Sequence, residues 1–425
     1  MVGRNLKMEK KKKILIHSIA FFPDGVSTAY LYNDIALAFK GAGYEVVVLT
    51  TTPHYNVVPE QVDRHPMRKK MFGLYFEGDY FGIPVIHIPQ KKFKSTFLRL
   101  LGFVYWHLLA LILGLCERKV DVILSPSPPL TIGLVNLIIA KFKGAKVIYN
   151  VQEIYPDFLI EQGGLKSKPV INILKSLEKF VYNKSAAVTT IDQVFYNTIV
   201  SRFENKNKLH IVPNFVDTDL YKPYIGQLNL DRTVFPENGN IKLMYAGNVG
   251  HAQDWEPLLK TAILLKDAPI EFFIIGEGVM KEFVQNAVQK NELSKVHVLP
   301  YQPRELMPQL LAYADLQFIF MSKEMEGHGF PSKVYTIMAC AKPLIVCSGS
   351  GTPIVNFLKD YSCAKIITER NEQLKVEQIV SFLNTVNHDQ LVNMGKDGYD
   401  VVQKYYSKDV VTGKYVSIVK DLLNE

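Results

Sequence analysis

The sequence predicts an α/β protein built from two tandem Rossmann-like domains with a ligand cleft between them, and three observations support this fold class. First, a chain of 425 residues exceeds what one hydrophobic core usually serves. Second, its apolar runs are short and continuous, which is typical of parallel strands covered on both faces by helices. Third, the order strand, loop, helix begins twice, on either side of the turn-rich segment PNFVDTDLYKP at 213–223.

The first domain is predicted to span residues 1–214. It opens with the strand KILIHSIA and the loop FFPDGVST, and a helix at about Ala29–Ala42 follows and ends at Gly43. The pattern then resumes, so that the loops fall at the carboxyl ends of strands. The further predicted elements are the strand EVVVLTT, the strand in VDVILSPSPP, a helix near 130–142, the strand in AKVIYNVQEIYPD, a helix around 167–183, and the strands AAVTTI and LHIVPN.

The second domain is predicted to span residues 215–404 and to repeat the same order. Its strands lie in IKLMYAGNVG, IEFFIIGEGV, KVHVLPYQ and LQFIF, and helices at 254–266, 279–291 and 303–313 separate them. Two further helices are expected at about 388–404 and 407–423. The sequence leaves open whether the C-terminal helix, about 405–425, packs back on the first domain.

The segment EMEGHGFPSKVYTIMACAKPLIVCSGSGT, from Glu324 to Thr352, is the most informative part of the chain. It predicts a glycine-rich loop, a helix from Lys333 to about Cys340, a buried strand and a second glycine-rich loop. With Ser332 as the helix N-cap, backbone N–H groups, the positive end of a helix dipole and the Lys333 ammonium meet in one place. This combination favours a phosphate site. The alternative is an ordinary strand-to-helix connection with a surface lysine.

Three glycine turns follow strands of the second domain. The first contains Gly247, Asn248 and Gly250, the second is the Gly-x-Gly turn at 276–278, and the third runs over 349–352. Each alone is equally typical of a tight turn without a ligand. Together with Lys333 they indicate a site for a nucleotide diphosphate. The chain has no GxxxxGK[ST] motif, which argues against an ATP-hydrolysing motor.

In the first domain, Gly25 and the pair Gln152 and Glu153 follow strands and are expected to face the same cleft. Glu153 and Asp157 are candidates to orient an acceptor hydroxyl or to act as a base. The alternative for each is a solvated loop carboxylate or a helix cap. The histidines make no metal-binding spacing and no DxD motif follows a strand, so no metal is expected.

The net charge of +8 comes from the first part of the chain, where residues 1–200 hold 25 Lys and Arg against 15 Asp and Glu. Such a half can face nucleic acid or an anionic membrane, and the neighbouring apolar run Leu100–Cys116 favours the membrane over nucleic acid. The helix at 97–116 is expected to be largely buried or to lie partly in a membrane interface; a core helix is the alternative. The four cysteines form no CxxC pair, which suits free thiols in the cytoplasm.

The motifs together resemble the family 4 glycosyltransferases of the GT-B fold. The resemblance rests on FFPDGVST, PNFVDTDLYKP, YAGNVGHAQ, IIGEG and GFPSKVYTIMACAKPLIV, and it covers nearly the whole chain from Lys13 to Glu425. The most similar branch comprises bacterial transferases for colanic acid, O-antigen and capsule. The resemblance implies transfer of a hexosyl or N-acetylaminosugar group from a UDP-sugar, with retention and without metal or other cofactor. It also implies a lipid-linked or glycan acceptor and a peripheral position at the cytoplasmic face of the cell membrane.

Candidate roles follow from the motifs and the resemblance. Lys333, Glu326 and Glu153 are the catalytic candidates, and Gln152 and Asp157 are expected on the acceptor side. Two positions depart from the family pattern: Thr336 stands where a ribose-binding glutamate is usual, and Gln152 stands where many members have a histidine. The predicted donor-binding residues are Gly25, Gly247, Asn248, Gly276, Gly278, His328, Gly329, Phe330, Pro331, Ser332, Thr336, Gly351 and Thr352.

Two other functions are compatible with these features. A non-hydrolysing UDP-sugar epimerase can share tandem Rossmann-like domains, although it needs no acceptor and no membrane affinity, so the run at 97–116 argues against it. A non-catalytic membrane-associated scaffold of the same fold is suggested by Thr336 and Gln152. Binding of UDP separates the scaffold from both enzymes.

Overall fold

The computed structural model describes residues 11–54, 57, 62, 65–90, 95–161, 163–326 and 330–425. The chain divides into two compact units. The first unit comprises Met1–Asn214 and Asp409–Glu425, and the second comprises Phe215–Lys408. Each unit is an α/β domain built around one mainly parallel sheet, so the predicted fold class of two Rossmann-like domains is confirmed.

The sheet of the first unit has nine strands among the described residues, in the order β3-β4-β5-β2-β1-β6-β7-β8-β9. From β5 to β9 all neighbours are parallel, whereas β4 runs antiparallel to both β3 and β5. The strands are β1 (Lys13–His17), β2 (Glu45–Thr51), β3 (Arg68–Lys70), β4 (Tyr75–Tyr80), β5 (Ile83–Ile88), β6 (Val122–Ser127), β7 (Lys146–Val151), β8 (Ala187–Thr190) and β9 (Leu209–Ile211).

Helices connect the parallel strands of this sheet and cover it. The central strands are buried on both faces, because each crossover places an apolar helix against the sheet. Leu15, Ile123 and Val147 form part of this core. The helices are α1 (Ser27–Gly41), α2 (Thr96–Cys116), α3 (Leu130–Lys143), α4 (Asp157–Glu161), α5 (Lys168–Lys184) and α6 (Gln193–Ile199).

The sheet of the second unit has six parallel strands within the described part of the chain, in the order β12-β11-β10-β13-β14-β15. Its strands β11, β13 and β14 are buried throughout. The strands are β10 (Ile241–Ala246), β11 (Ile270–Ile275), β12 (Val296–Leu299), β13 (Leu316–Phe320), β14 (Leu344–Cys347) and β15 (Ala364–Ile367).

Helices pack on both faces of this second sheet, and one helix begins later than its sequence suggests. The region expected to be helical at 303–313 forms a 3₁₀ turn at Arg304–Leu306 and then an α-helix with Pro308 in its first turn, where proline is tolerated. The helices are α7 (Trp255–Leu264), α8 (Lys281–Lys290), α9 (Met307–Tyr313), α10 (Lys333–Ala339), α11 (Pro353–Leu358), α12 (Glu372–Thr385) and α13 (His388–Tyr405).

The last helix, α14 (Lys408–Leu423), returns to the first unit. Its Tyr415 is buried, and the side-chain amide of Asn150 donates a 2.9 Å hydrogen bond to the Tyr415 hydroxyl oxygen. The Tyr44 hydroxyl donates a 2.8 Å hydrogen bond to the Glu425 carboxylate beyond the helix. These contacts connect residues separated by 265 and 381 positions, which no local pattern in the sequence specifies.

One feature of the first unit departs from the sequence-based expectations. The hairpins of β3, β4 and β5 make one end of its sheet antiparallel, and the short basic strand RKK has no continuous apolar run that predicts it. Cys116 is exposed, whereas Cys340, Cys347 and Cys363 are buried free thiols. Among the described residues, the segment Phe97–Cys116 is the one helix whose length and composition would allow it to cross a membrane.

Candidate functional site

The candidate site of the second unit lies at the carboxyl edge of its sheet. The strands β10, β11, β13 and β14 are parallel neighbours, so the loops that follow them emerge at the same edge. These loops carry the glycine turns near 247, 276 and 349 and the start of α10. The structure therefore assembles at one edge the glycine turns and the lysine that the sequence analysis selected.

Lys333 begins α10 and extends toward the end of β10. Its ammonium lies 3.7 Å from the centroid of the Tyr245 ring and donates a 3.3 Å hydrogen bond to the Ala246 carbonyl oxygen. The residue as a whole is half-buried, but desolvation of its ammonium lowers the Lys333 pKa to about 7. An anionic ligand would restore the favourable charge interaction that this ammonium lacks.

Two glycines explain how the loops after β10 and β11 come together. Gly247 has φ +152°, and a Cβ there would lie 2.6 Å from the Lys333 ammonium nitrogen. Gly276 also has φ +152°, and a Cβ there would lie 1.8 Å from the Gly247 carbonyl oxygen. The Val249 N–H donates a 2.9 Å hydrogen bond to the Glu277 carbonyl oxygen across the two loops. These glycines therefore allow backbone to pack on backbone, and Gly247 also leaves room for the ammonium.

Glu326, a catalytic candidate, already has partners within the second unit. Its buried carboxylate accepts a 2.6 Å hydrogen bond from the Gly349 N–H and lies 2.7 Å from a guanidinium nitrogen of Arg370. One carboxylate oxygen thus holds the loop after β14, and the other pairs with the segment after β15. Arg370, which sequence reasoning missed, follows β15 at the same edge and is largely exposed. Its position after a strand was the available signal, but the Ile-Thr-Glu-Arg sequence carries no glycine turn that marks a site.

The loop after β14 is held by its own hydrogen bonds. The Thr352 hydroxyl donates a 2.9 Å bond to the Gly349 carbonyl oxygen and accepts a 3.0 Å bond from the Ser348 hydroxyl. Gly351, at the exposed tip of the loop, has φ +89°. Gly351 and Thr352 therefore present a preformed turn at this edge, with Thr352 as the N-cap residue of α11.

The other predicted donor-side residues occupy varied surroundings. Ser332 stands at the N-cap position of α10, but its side chain makes no capping hydrogen bond, so that part of the prediction is wrong. Phe330 packs its ring against Phe357, with centroids 5.0 Å apart, which makes it part of the local core. Pro331 and Thr336 are half-buried. The backbone carbonyl oxygen of Asn248 accepts a hydrogen bond from the Tyr245 hydroxyl. A Cβ at Gly278 would lie 2.2 Å from the Val249 carbonyl oxygen. His328 and Gly329 lie outside the described residues.

In the first unit, Gln152 belongs to a polar network under the carboxyl edge of the sheet. Its side-chain amide donates a 2.9 Å hydrogen bond to the Asn150 side-chain oxygen, which also accepts a 2.7 Å bond from the Tyr32 hydroxyl. The Asn150 amide donates to the hydroxyl oxygens of Thr189 and Tyr415. Because Asn150 is fully buried, this network fixes the position of Gln152. Gly25 lies at the same edge, in the loop between β1 and α1.

Glu153 and Asp157 differ in their surroundings. Glu153 is half-buried, and desolvation raises the pKa of its carboxyl group. Asp157, in contrast, lies 2.5 Å from an Arg202 guanidinium nitrogen, and the same guanidinium also binds the buried Glu178 at 2.5 Å. The Asp157 carboxylate therefore belongs to an ion-pair cluster, and its role toward an acceptor stays a prediction. Glu153 remains the candidate carboxylate at this edge.

A metal centre requires several His, Cys, Asp or Glu side chains close together. Within the residues that the structure describes, no group of three such side chains is placed to hold a metal ion. The Lys333 ammonium, beside the turn at Gly247, is a cation in a partly desolvated position. Such a group can stabilise negative charge that develops on a departing diphosphate.

Two family models match the chain, one on each domain. The model described as Glycosyltransferase Family 4 matches residues 29–220, and the model described as Glycosyl transferases group 1 matches residues 229–401. Both are transferase families. The two matches follow one another along the chain and contain the loops described above, except that Gly25 lies just before the first match.

Two relatives resemble the chain over most of its length. The protein described as colanic acid biosynthesis glycosyl transferase WcaI of Escherichia coli (strain K12) is 22% identical over 352 residues, which cover 80% of this chain and 84% of the relative. The protein described as glycosyltransferase WbjE of Pseudomonas aeruginosa is 22% identical over 314 residues, which cover 72% of this chain and 76% of that protein.

A solved structure has the same fold. The crystal structure of Anabaena HepE in complex with UDP and glucose superposes with a TM-score of 0.68 at 12% identity, covering 96% of this chain and 100% of that one. At 12% identity, this match supports the fold alone. Together with the two family models and the relatives, it confirms the resemblance found in the sequence motifs. The chain belongs to the family 4 glycosyltransferases of the GT-B fold, and it is an enzyme that transfers a glycosyl group.

Proposed function

We propose that this enzyme transfers a hexosyl or N-acetylaminosugar group from a UDP-sugar to a lipid-linked or glycan acceptor in the synthesis of a bacterial surface polysaccharide. Transfer proceeds with retention, without a metal ion, at the cytoplasmic face of the cell membrane. The observation that carries the proposal is the Lys333 ammonium, which lies over the Tyr245 ring among the glycine turns of the second unit. The description of WcaI supports the polysaccharide, and the UDP in the HepE structure supports the nucleotide.

The chemistry follows from where negative charge develops. As the acceptor hydroxyl attacks the anomeric carbon, the bond from that carbon to the diphosphate oxygen breaks and the diphosphate gains charge. The Lys333 ammonium binds this charge, and the preformed turn at Gly351 lies at the same edge of the sheet. Attack on the face from which the diphosphate departs retains the anomeric configuration, needs no covalent carboxylate, and lets the departing diphosphate oxygen accept the proton of the acceptor hydroxyl. Glu153, whose pKa is raised by desolvation, orients the acceptor hydroxyl.

A donor screen by thermal shift tests the nucleotide and the sugar together. A ligand that binds only the folded protein raises the melting temperature in proportion to its affinity, so UDP-, GDP- and TDP-sugars are compared at equal concentrations. We expect stabilisation by one or a few UDP-sugars, unchanged by EDTA. A larger shift with GDP- or TDP-sugars would contradict the choice of UDP, and loss of the shift in EDTA would contradict metal independence.

The stereochemistry and the acceptor need separate measurements. Proton NMR of the product gives the anomeric configuration of the newly formed linkage. Retention requires that this configuration match that of the donor sugar. Extracted polyprenyl-linked saccharides and free oligosaccharides are supplied as competing acceptors with the donor from the screen. Transfer to neither class, with a donor that stabilises the enzyme, would contradict the proposed acceptor.

A further inference from the structure

The Glu153 carboxylate is placed by the backbone that carries it. Among the residues that the structure describes, this carboxylate makes no hydrogen bond or ion pair of its own. The residues on either side are fixed: Gln152 donates to Asn150, and Ile154 is 9% exposed and packs in the core of the unit. A group that orients a reacting hydroxyl has to be held to within about 0.5 Å. The segment around Glu153 therefore has to be rigid.

This segment is attached to the rest of the unit one helical turn later, at Asp157. The Phe158 N–H donates a 2.9 Å hydrogen bond to the Ile154 carbonyl oxygen and closes the turn. Asp157 lies within this turn and begins α4, and its carboxylate lies 2.5 Å from an Arg202 guanidinium nitrogen. A displacement of Asp157 would therefore displace the turn that begins directly after Glu153.

The backbone of Arg202 is held by the end of α5. Arg202 ends a 3₁₀ turn that starts at Val200, and its carbonyl oxygen accepts a 3.1 Å hydrogen bond from the Asn183 side-chain amide. The next residue, Phe203, stacks its ring on that of Tyr182, with centroids 5.0 Å apart and planes within 8° of parallel. The guanidinium is thus carried by a segment that is fixed to α5 on both sides.

The Arg202 guanidinium joins carboxylates of two different helices. One of its terminal nitrogens lies 2.5 Å from the Glu178 carboxylate of α5, and the other lies 2.5 Å from the Asp157 carboxylate of α4. Glu178 is 2% exposed, so its charge is balanced by Arg202 and not by water. A planar guanidinium holds two partners in a fixed geometry, which a flexible lysine ammonium does not. The cluster therefore fixes Asp157 relative to α5.

Stability alone does not account for this cluster. Taking Arg202 and Glu178 out of water costs free energy, and their attraction repays it only when the geometry is good. Replacing such a pair by neutral side chains of similar volume often leaves stability unchanged. The pair does, however, give α4 a defined position, and α4 begins one turn after the candidate carboxylate at the carboxyl edge.

We propose that Arg202, with Glu178 as its buried anchor, is a positioning residue for glycosyl transfer: it holds Asp157 and thereby the turn that places the Glu153 carboxylate against the acceptor hydroxyl. Arg202 acts through Asp157 and needs no contact with either substrate. This inference rests on the proposed function, in which Glu153 orients the acceptor hydroxyl, and it deepens that function by naming the residues that fix Glu153.

The double variant Arg202→Met, Glu178→Gln tests this role in the full chain. It removes one charge of each sign, and the amide introduced at 178 can still pair with the Tyr182 hydroxyl, as the carboxylate does. We expect turnover to fall about tenfold or more, because Glu153 is no longer placed, with an unchanged UDP-sugar thermal shift. The matched control, Lys13→Met with Glu117→Gln, removes a 2.9 Å ion pair at the amino edge of the same sheet and leaves turnover unchanged.

A double-mutant cycle separates positioning from a general weakening of the fold. In a Glu153→Ala background there is no carboxylate left to place, so the changes at 202 and 178 should reduce turnover little further. A loss that multiplies with that of Glu153→Ala would overturn the proposal, and so would wild-type turnover of the double variant. If the double variant does not fold, Arg202→Lys replaces it. That change keeps a cation beside Glu178 and removes the planar fork, and wild-type turnover would again overturn the proposal.

Hydrogen exchange measured by mass spectrometry tests the attachment without any activity. Peptides covering residues 152–161 are compared with peptides covering β8 in the wild type, the double variant and the control. We expect faster exchange at 152–161 in the double variant alone, with exchange in β8 unchanged. Unchanged exchange at 152–161 would overturn the proposal. Faster exchange there, in a protein whose wild type no UDP-sugar stabilises, would support the attachment and assign the failure to the proposed donor.

Discussion

The carboxyl edges of the two sheets are built from the same strand-to-helix connections and yet present opposite surfaces. In the second unit the loops after β10 and β11 interlock through Gly247 and Gly276, and the Lys333 ammonium is partly desolvated. In the first unit the polar network under the edge ends at Gln152, and an exposed apolar helix begins farther along the same edge, after β5.

Under the proposed function, this difference suits two kinds of ligand. A diphosphate is small and highly charged, so it is best bound by rigid backbone and a fixed cation that needs no reorganisation. A lipid-linked saccharide has an apolar part that stays in the membrane, so its site needs an apolar surface beside polar groups. The predictions below test whether the second unit depends on rigidity and charge as this comparison requires.

The largest effect is expected from Lys333→Ala. Removing the cation that binds the departing diphosphate should reduce kcat about 10²–10³-fold, the usual cost of one such group. Donor turnover is measured alongside the melting temperature. The control is Lys342→Ala, another half-buried lysine with a lowered pKa, which lies at the opposite edge and donates a 2.8 Å bond to the Ala312 carbonyl oxygen. Near wild-type turnover of Lys333→Ala would refute the assigned role.

The rigidity of the second edge is tested by Gly276→Ala. The added Cβ would meet the Gly247 carbonyl oxygen at 1.8 Å in a backbone conformation with φ +152°, so the loops must separate. We expect a loss of about 2–4 kcal/mol in the free energy of unfolding. Gly413→Ala in α14, where a Cβ meets nothing within 4 Å, should instead stabilise by about 0.5–1 kcal/mol. Equal stabilities of the two variants in urea titrations would argue against interlocked loops.

The pH dependence of donor affinity tests the charge of Lys333. Because its pKa is lowered to about 7, the free enzyme carries the ammonium below pH 7 and loses it as the pH rises. Binding of the anionic donor favours the charged form, so above pH 7 binding takes up a proton and the affinity falls by up to about tenfold per pH unit. Calorimetry at pH 8 in two buffers of different ionisation enthalpy measures the proton uptake. It should vanish in Lys333→Ala.

The smallest effect is expected from Glu326→Gln. The amide oxygen can still accept the Gly349 N–H, and the lost partner Arg370 is 58% exposed, so the cost should stay below about 1 kcal/mol in stability. Turnover should fall by less than about tenfold, whereas a general acid or base would lose about 10²–10⁴-fold. Arg370→Met should destabilise more than Glu326→Gln, because it leaves the buried carboxylate without its cation. A collapse of turnover in Glu326→Gln would restore the catalytic role.

Much of the fold follows from local patterns. Continuous apolar runs such as LQFIF and LIVC mark strands that are buried on both faces, and the structure has them at Leu316–Phe320 and Leu344–Cys347. The antiparallel hairpins were missed because the short strand at Arg68–Lys70 is charged and stabilised by pairing with β4, not by its own composition. The secondary structure of such a short segment depends on pairing with a neighbouring strand rather than on its residue types.

The features of the candidate site also fall into those that local sequence predicts and those that depend on distant segments. Glycine turns and the adjacent Lys333 could be selected from the sequence, because backbone conformation and helix starts are local properties. The engagement of Glu326 with Arg370 and of Asp157 with Arg202 could not, since each pair joins distant segments. In sequence, a carboxylate that forms a structural ion pair cannot be distinguished from one that is available to a ligand.

By itself, the sequence determined the fold class, the family and the positions of the glycine turns and of Lys333, because all of these depend on patterns spanning a few tens of residues. Only the tertiary structure decided which carboxylates are already paired, and that α14 completes the first unit through Tyr415. It also decided that α2, apolar on all sides in the sequence, has one buried and one exposed side. Burial and pairing are properties of the packed chain. The sequence of an apolar helix therefore does not show which of its sides the rest of the protein covers.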